Sequence, residues 1–161
     1  THVLYRWSFN IKNGSVQEGP VDDLNTEFPT VNHTFLGRKN RYSFNQIIPV
    51  PQEGTLEGQC QTFNGMVRYD LETGETQRYE YGEGVYGSEA PVPAGTSQTG
   101  DDAETKAYPV TFISDSNDWS SSCLIFDAAD IREPIARVKI PRRISIGFHT
   151  TWVDGNDIWP S

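Results

Sequence analysis

Cysteine is scarce in this sequence, with only Cys60 and Cys123 among 161 residues. The two lie far apart and form no C-x-x-C pair, which argues against both a disulfide framework and a thiolate zinc site. Two buried, reduced thiols are therefore predicted. That state fits a cytoplasmic protein, which is the location we expect.

Long apolar runs and excess positive charge are also lacking. No stretch approaches the roughly 18 to 20 apolar residues that a membrane-spanning helix needs. The chain begins at Thr1, and no signal-like segment follows. Because 13 basic residues face 22 acidic ones, the net charge is −9. This balance argues against a nucleic-acid backbone as a partner.

Hydrophobic residues make up only 35% of the chain, whereas glycine and proline are plentiful at 14 and 10. The length is sufficient for one domain with a core, and the composition favours short strands and turns over long helices. Alternating patterns predict strands over residues 3–10, 15–19, 63–71, 76–81, 107–113, 122–126 and 135–141. A surface loop is predicted from Asn45 to Gly58. Most tyrosines and tryptophans are expected to pack inside, and no apolar patch suited to membrane contact is evident.

Three residues are candidates for chemistry: Glu27, Glu89 and His149. His149 lies in a β-prone run after Gly147, where a lone histidine is more often structural than a metal ligand. Glu27 precedes Phe28-Pro29, and by itself it would be a solvated turn carboxylate. Neutral imidazole is a good ligand for Fe(II), and a carboxylate on its other nitrogen fixes its tautomer.

Four short segments, which follow one another along the chain, give these three residues more weight as candidates. They are Glu27-Phe28-Pro29 with Asn32, Gly37-Arg38 and Arg41-Tyr42; Gly82 to Pro93 around Glu89; Leu124 to Ala128; and Ile135 to Pro141 followed by Gly147 to Trp152. Together they resemble the C-terminal portion of the carotenoid cleavage oxygenases, which include apocarotenoid, stilbene and lignostilbene dioxygenases. The second of these segments departs from the family pattern, because Ser88 replaces a common glycine and the usual aromatic residue before Val92-Pro93 is absent.

The resemblance implies an all-β fold, with residues 1–161 forming the C-terminal blades of a seven-bladed β-propeller whose upstream blades lie outside this chain. It implies a non-haem Fe(II) dioxygenase that cleaves a C=C bond of an apocarotenoid or stilbene-type substrate with O2, giving carbonyl products. His149 would bind iron, while Glu27 and Glu89 would orient iron-binding histidines from outside the chain. His2 and His33 match no ligand position and are predicted to be surface or turn residues.

The implied partners are a small apolar or aromatic alkene, O2 and the remainder of the same propeller, with any peripheral membrane contact made through upstream segments. The segment alone is expected to be inactive. Two other interpretations stay open. In one, Glu27 and Glu89 are the acid and base of a glycosidase. In the other, the chain is a β-rich binding or structural module, and His149 is a core histidine.

Overall fold

The structure, a computed structural model, describes residues 2–51, 53–54 and 61–158 of the chain. Within these ranges its regular secondary structure is almost entirely β-strand, as the sequence predicts. The strands are β1 (Tyr5–Phe9), β2 (Val16–Pro20), β3 (Thr26–Thr30), β4 (Tyr42–Ile47), β5 (Gly65–Asp70), β6 (Thr76–Glu80), β7 (Val85–Gly87), β8 (Val110–Asp115), β9 (Ser121–Ile125) and β10 (Ala136–Ile140). The helical elements are two short 3-10 turns, His33–Phe35 and Ala103–Thr105, and one helical turn, α1 (Gly155–Ile158).

The strands form three antiparallel sheets that follow the chain order. β1 and β2 make a hairpin, β3 to β6 make a four-stranded meander, and β7 to β10 make a second four-stranded meander. Four sequential antiparallel strands are the unit from which propeller blades are made. The described chain therefore contains two such units and a hairpin that precedes them.

The core lies between the sheets. Phe44 and Met66 on the first meander share a buried cluster with Ile113, Leu124 and Phe126 of the second meander. Side chains on the opposite face of β4 and β5, among them Val67 and Tyr69, pack with apolar residues around the β1–β2 hairpin. β4 and β5 are therefore covered on both faces.

This two-sided burial explains why the loop predicted from Asn45 is wrong at its start. β4 continues to Ile47, and Asn45 and Gln46 are buried within it. Their polar groups have partners, because Gln46 Oε1 accepts a hydrogen bond of 2.7 Å from the Tyr81 hydroxyl and Asn45 Oδ1 accepts one of 2.8 Å from Ser43. Burial raises the pKa of Tyr81 well above its ordinary value. Residues 52 and 55–58 of the predicted loop lie outside the described residues.

The prediction that most tyrosines and tryptophans pack inside fails for Trp7, Trp119 and Trp152, which are exposed, whereas Tyr69, Tyr81 and Tyr86 are buried. Trp119 occupies a turn between β8 and β9, where the Arg143 guanidinium lies 4.3 Å from the ring centroid. Trp7 belongs to an exposed apolar set on the β1–β2 hairpin that the sequence did not suggest. The set is Tyr5, Trp7, Phe9, Ile11 and Val16.

Across the described residues, no helix has the length and apolar character to cross a bilayer.

Cys123 is a free thiol on β9 that is half-buried rather than fully buried as predicted. Its partial burial raises the thiol pKa, which favours the protonated, unreactive form. The other cysteine, Cys60, lies outside the described residues.

Candidate functional site

The predicted residues Glu89 and His149 lie together, although 59 positions separate them in the sequence. Glu89 lies two residues after the end of β7, and His149 lies in an irregular segment between β10 and α1. The Glu89 N–H donates to the Phe148 carbonyl at 3.0 Å. Thr150 completes the attachment, since its N–H donates to Glu89 Oε2 at 3.1 Å and its hydroxyl donates to the Glu89 carbonyl at 2.8 Å. The segment around His149 is thus fixed to Glu89 without forming a strand.

This attachment brings the Glu89 carboxylate to the imidazole of His149. The distance from Glu89 Oε2 to His149 Nδ1 is 3.5 Å, within ion-pair range but longer than a well-formed hydrogen bond. Glu89 is mostly buried, with 18% of its side chain exposed, whereas 71% of the His149 side chain is exposed. A carboxylate on Nδ1 leaves Nε2 as the nitrogen available for a metal. The sequence had led us to expect that Glu89 would face a histidine from outside this chain.

As a donor set, these residues suit one ligand of an Fe(II) site. Neutral imidazole is an appropriate ligand, and the nearby carboxylate is the usual partner of a ligating histidine. No cluster of three or more histidine, cysteine, aspartate or glutamate side chains that could hold a metal occurs in the part of the chain that the structure describes. His149 therefore fits iron as a single ligand, and further ligands would have to come from elsewhere.

Two phenylalanines contact the imidazole, and a third packs behind them. The rings of Phe28 and Phe148 each lie with their centroids 4.8 Å from that of His149, at interplanar angles of 62° and 77°. Phe63 is fully buried and contacts both phenylalanines, with its centroid 5.4 Å from Phe28 and 5.6 Å from Phe148. The Phe63–Phe148 pair is stacked at 23° and the other contacts are edge-on, both favourable arrangements for aromatic rings. The sequence gave no indication that Phe28 or Phe63 takes part in this cluster.

A comparison of the sequence with known families shows to which family the chain belongs. The profile of the family described as retinal pigment epithelial membrane protein matches residues 1–154. The chain belongs to this family, that of the carotenoid cleavage oxygenases. The resemblance seen in the four sequence segments is thereby confirmed.

Curated relatives in the family are much longer than this chain. It is 32% identical to carotenoid 9,10(9',10')-cleavage dioxygenase 1 of Arabidopsis thaliana, over 93% of this chain but 28% of the relative. Zeaxanthin 7,8(7',8')-cleavage dioxygenase of Crocus sativus is 31% identical, with 89% of this chain and 38% of the relative covered. The chain thus spans well under half of the relatives it matches.

Solved structures agree on the fold. The Pseudomonas brassicacearum lignostilbene dioxygenase matches with a TM-score of 0.76 and 26% identity, over 94% of this chain and 32% of that one. A cobalt-substituted Synechocystis apocarotenoid oxygenase gives the same TM-score at 20% identity, over 94% of this chain and 30% of that one. The all-β propeller class is confirmed by these neighbours, while the number of blades stays a prediction.

The departure from the family pattern at Ser88 is accommodated by packing. Ser88 is completely buried, and its Oγ accepts a 3.1 Å hydrogen bond from the Phe112 N–H. Gly147 lies opposite it, and a Cβ at position 147 would be only 2.9 Å from the Ser88 Cβ. A serine in place of the family's common glycine therefore fits here because residue 147 has no side chain.

Glu27 occupies a different position from Glu89. It lies in β3, directly before Phe28, and its Oε2 accepts a 3.3 Å hydrogen bond from the Phe28 N–H. Its other oxygen, Oε1, is 3.7 Å from Nδ1 of His2, an exposed residue. His33 opens a 3-10 turn and is half-buried, which lowers the pKa of its imidazole. The role predicted for Glu27, toward a histidine outside this chain, stays a prediction.

Proposed function

We propose that the complete protein is a non-haem Fe(II)-dependent dioxygenase that cleaves a C=C bond of an apocarotenoid or stilbene-type substrate with O2, giving two carbonyl products. The observation that supports this best is the paired Glu89 and His149, found in a chain of the carotenoid cleavage oxygenase family. Bound iron would supply the centre at which O2 reacts. His149 would hold it, while Glu89 would fix the tautomer of His149.

The remainder of the site is proposed to come from the rest of the same protein. The described chain supplies a single suitable histidine, so the other iron ligands are assigned to upstream blades of the propeller. Glu27 is proposed to orient one of those histidines, because it lies close to His149. The residue that follows it in β3, Phe28, contacts the His149 ring. A cytoplasmic location also stays a prediction.

The proposed reaction is tested with purified full-length protein loaded with Fe(II) without oxygen. Aerated samples receive an apocarotenoid or a hydroxystilbene, and the products are identified by mass spectrometry. We expect one of the two substrate classes to yield a pair of carbonyl fragments, and removal of iron by a chelator to stop the reaction. Iron-loaded protein that is inert toward both classes would contradict the proposal. Inertness together with indifference to chelators would favour a binding module.

Replacement of Glu89 by glutamine tests its proposed role toward His149. Glutamine has the same shape and retains an oxygen for the Thr150 N–H, so the segment should stay attached while the negative charge is lost. Loss of an outer carboxylate partner costs about ten- to hundredfold in metal affinity. We expect iron binding, measured by competition with a chelator, to weaken by about tenfold.

The matched control is Glu83→Gln, which neutralises an exposed glutamate six residues upstream. This variant should bind iron like the unsubstituted protein. Equal iron affinities for the two variants would show that the Glu89 charge has no role in metal binding.

A further inference from the structure

Phe28 has an unusual backbone conformation. Its φ angle is +53°, in the left-handed region that bulky side chains rarely adopt, and the next residue is Pro29. Proline also pushes the residue before it toward extended geometry with a negative φ. Backbone strain of this kind persists only where the surrounding structure enforces it, and such positions concentrate at functional sites.

A β-bulge accounts for the conformation. In the pairing of β3 with β4, Glu27 is opposite Gln46 and Thr30 is opposite Phe44. Two residues of β3, Phe28 and Pro29, therefore face the single residue Asn45. A bulge of this type bends its strand and redirects a side chain, and bulges are frequent beside active sites.

The redirected side chain is the Phe28 ring, which meets His149. The ring lies edge-on at 4.8 Å from the imidazole centroid and also contacts Phe148 at 5.1 Å. Behind it, the buried Phe63 closes the cluster. The exposed imidazole of His149 is thereby held by Phe28 from one strand and by Phe148 from its own segment.

We propose that the bulge at Phe28-Pro29 makes Phe28 a positioning residue, which sets the plane of the His149 ring while Glu89 sets its tautomer. This inference rests on the proposed function, because it assumes that His149 binds the metal. Phe28 itself touches neither metal nor substrate in this proposal. It acts by restricting, together with Phe148, the rotation of an imidazole that is largely exposed to solvent.

The test uses Co(II) bound to the full-length protein, because the visible absorption of Co(II) responds to the geometry of its ligands. Phe28→Leu removes the aromatic ring but retains an apolar side chain. We expect altered Co(II) absorption bands and about tenfold weaker Co(II) binding, the lower end of the usual cost of disturbing a ligand's support. Phe28→Tyr retains the ring, and we expect it to preserve the spectrum and the affinity.

Phe126→Leu serves as the control for packing alone, since Phe126 is fully buried between the meanders. It should lower the melting temperature and leave the Co(II) spectrum unchanged. If Phe28→Leu behaves in the same way, the proposal is overturned and Phe28 only packs. If Phe28→Leu does not accumulate as folded protein, Phe28→Met takes its place with the same expected changes.

Failure of the underlying function would look different. Unsubstituted protein that binds neither Co(II) nor Fe(II) would overturn the proposed function and this inference together. Failure of this inference alone appears as normal metal binding by the unsubstituted protein and an unaltered spectrum in the Phe28→Leu variant.

Discussion

Replacing His149 by alanine is expected to abolish iron retention and activity in the full-length protein while leaving its folding intact. A metal ligand contributes more to metal affinity and activity than the carboxylate that supports it, whose loss lowers them about ten- to hundredfold. Turnover should therefore fall by more than about a hundredfold. Because most of the His149 side chain is exposed and its segment forms no strand, we expect the free energy of unfolding to change by about 0.5 kcal/mol or less. Elemental analysis gives the iron content, and thermal unfolding reports the stability.

His33→Ala is the appropriate control, because it also removes an imidazole, a half-buried one that lies outside the Glu89–His149 contact. It should retain iron and activity. An alanine variant at position 149 that still holds close to one iron per molecule would rule out His149 as a ligand. A general loss of folding in that variant would instead indicate that His149 is a structural residue.

Local signals in the sequence predicted the hairpins well. The strands predicted over residues 3–10 and 15–19, and over 63–71 and 76–81, are joined by turns at Asn13-Gly14 and Glu72-Thr73-Gly74. The φ angles of +72° at Gly14 and +79° at Gly74 favour glycine. Asp70 supports the second turn by accepting hydrogen bonds from the N–H groups of Glu72 and Thr73. Turn chemistry of this kind depends on neighbouring residues alone, so it is readable from the sequence.

Features that depend on stacked sheets could not be predicted in this way. Asn45 and Gln46 appear in a polar stretch, yet they are buried because β4 is covered on both faces and Tyr81 and Ser43 supply partners. Trp7 is exposed because its face of the β1–β2 hairpin is not covered by another part of the described chain. Alternation of polar and apolar residues carries no information about such packing.

The same limit applies to the candidate site. Motif resemblance selected Glu27, Glu89 and His149, but it did not show that Glu89 faces His149 itself. That pairing depends on hydrogen bonds made by Phe148 and Thr150 across a long separation in the sequence. The bulge that turns Phe28 toward His149 arises from a register shift between two strands, which the Glu-Phe-Pro motif does not reveal.

Residues 1–161 expressed alone are expected to associate rather than form a stable monomer. An isolated two-stranded hairpin is marginal in water, and among the described strands β1 and β2 pair only with each other. Apolar side chains on this hairpin face solvent, with 55% of Trp7, 68% of Phe9 and 97% of Ile11 exposed. In a closed propeller, further strands would cover such surfaces and sheet edges, whereas uncovered edges promote pairing between molecules. Size-exclusion chromatography with light scattering should therefore show oligomers or aggregates.

A pair of substitutions on the hairpin separates this cause from general instability. Trp7→Lys with Phe9→Lys should raise the monomer fraction of the isolated chain, because charge on an exposed strand opposes edge-to-edge association. Trp119→Lys, at an equally exposed tryptophan in the turn between β8 and β9, should leave association unchanged. A monodisperse and cooperatively melting monomer from the unsubstituted chain would contradict the expectation. It would mean that the two meanders and the hairpin bury enough surface between them to fold as a self-contained unit.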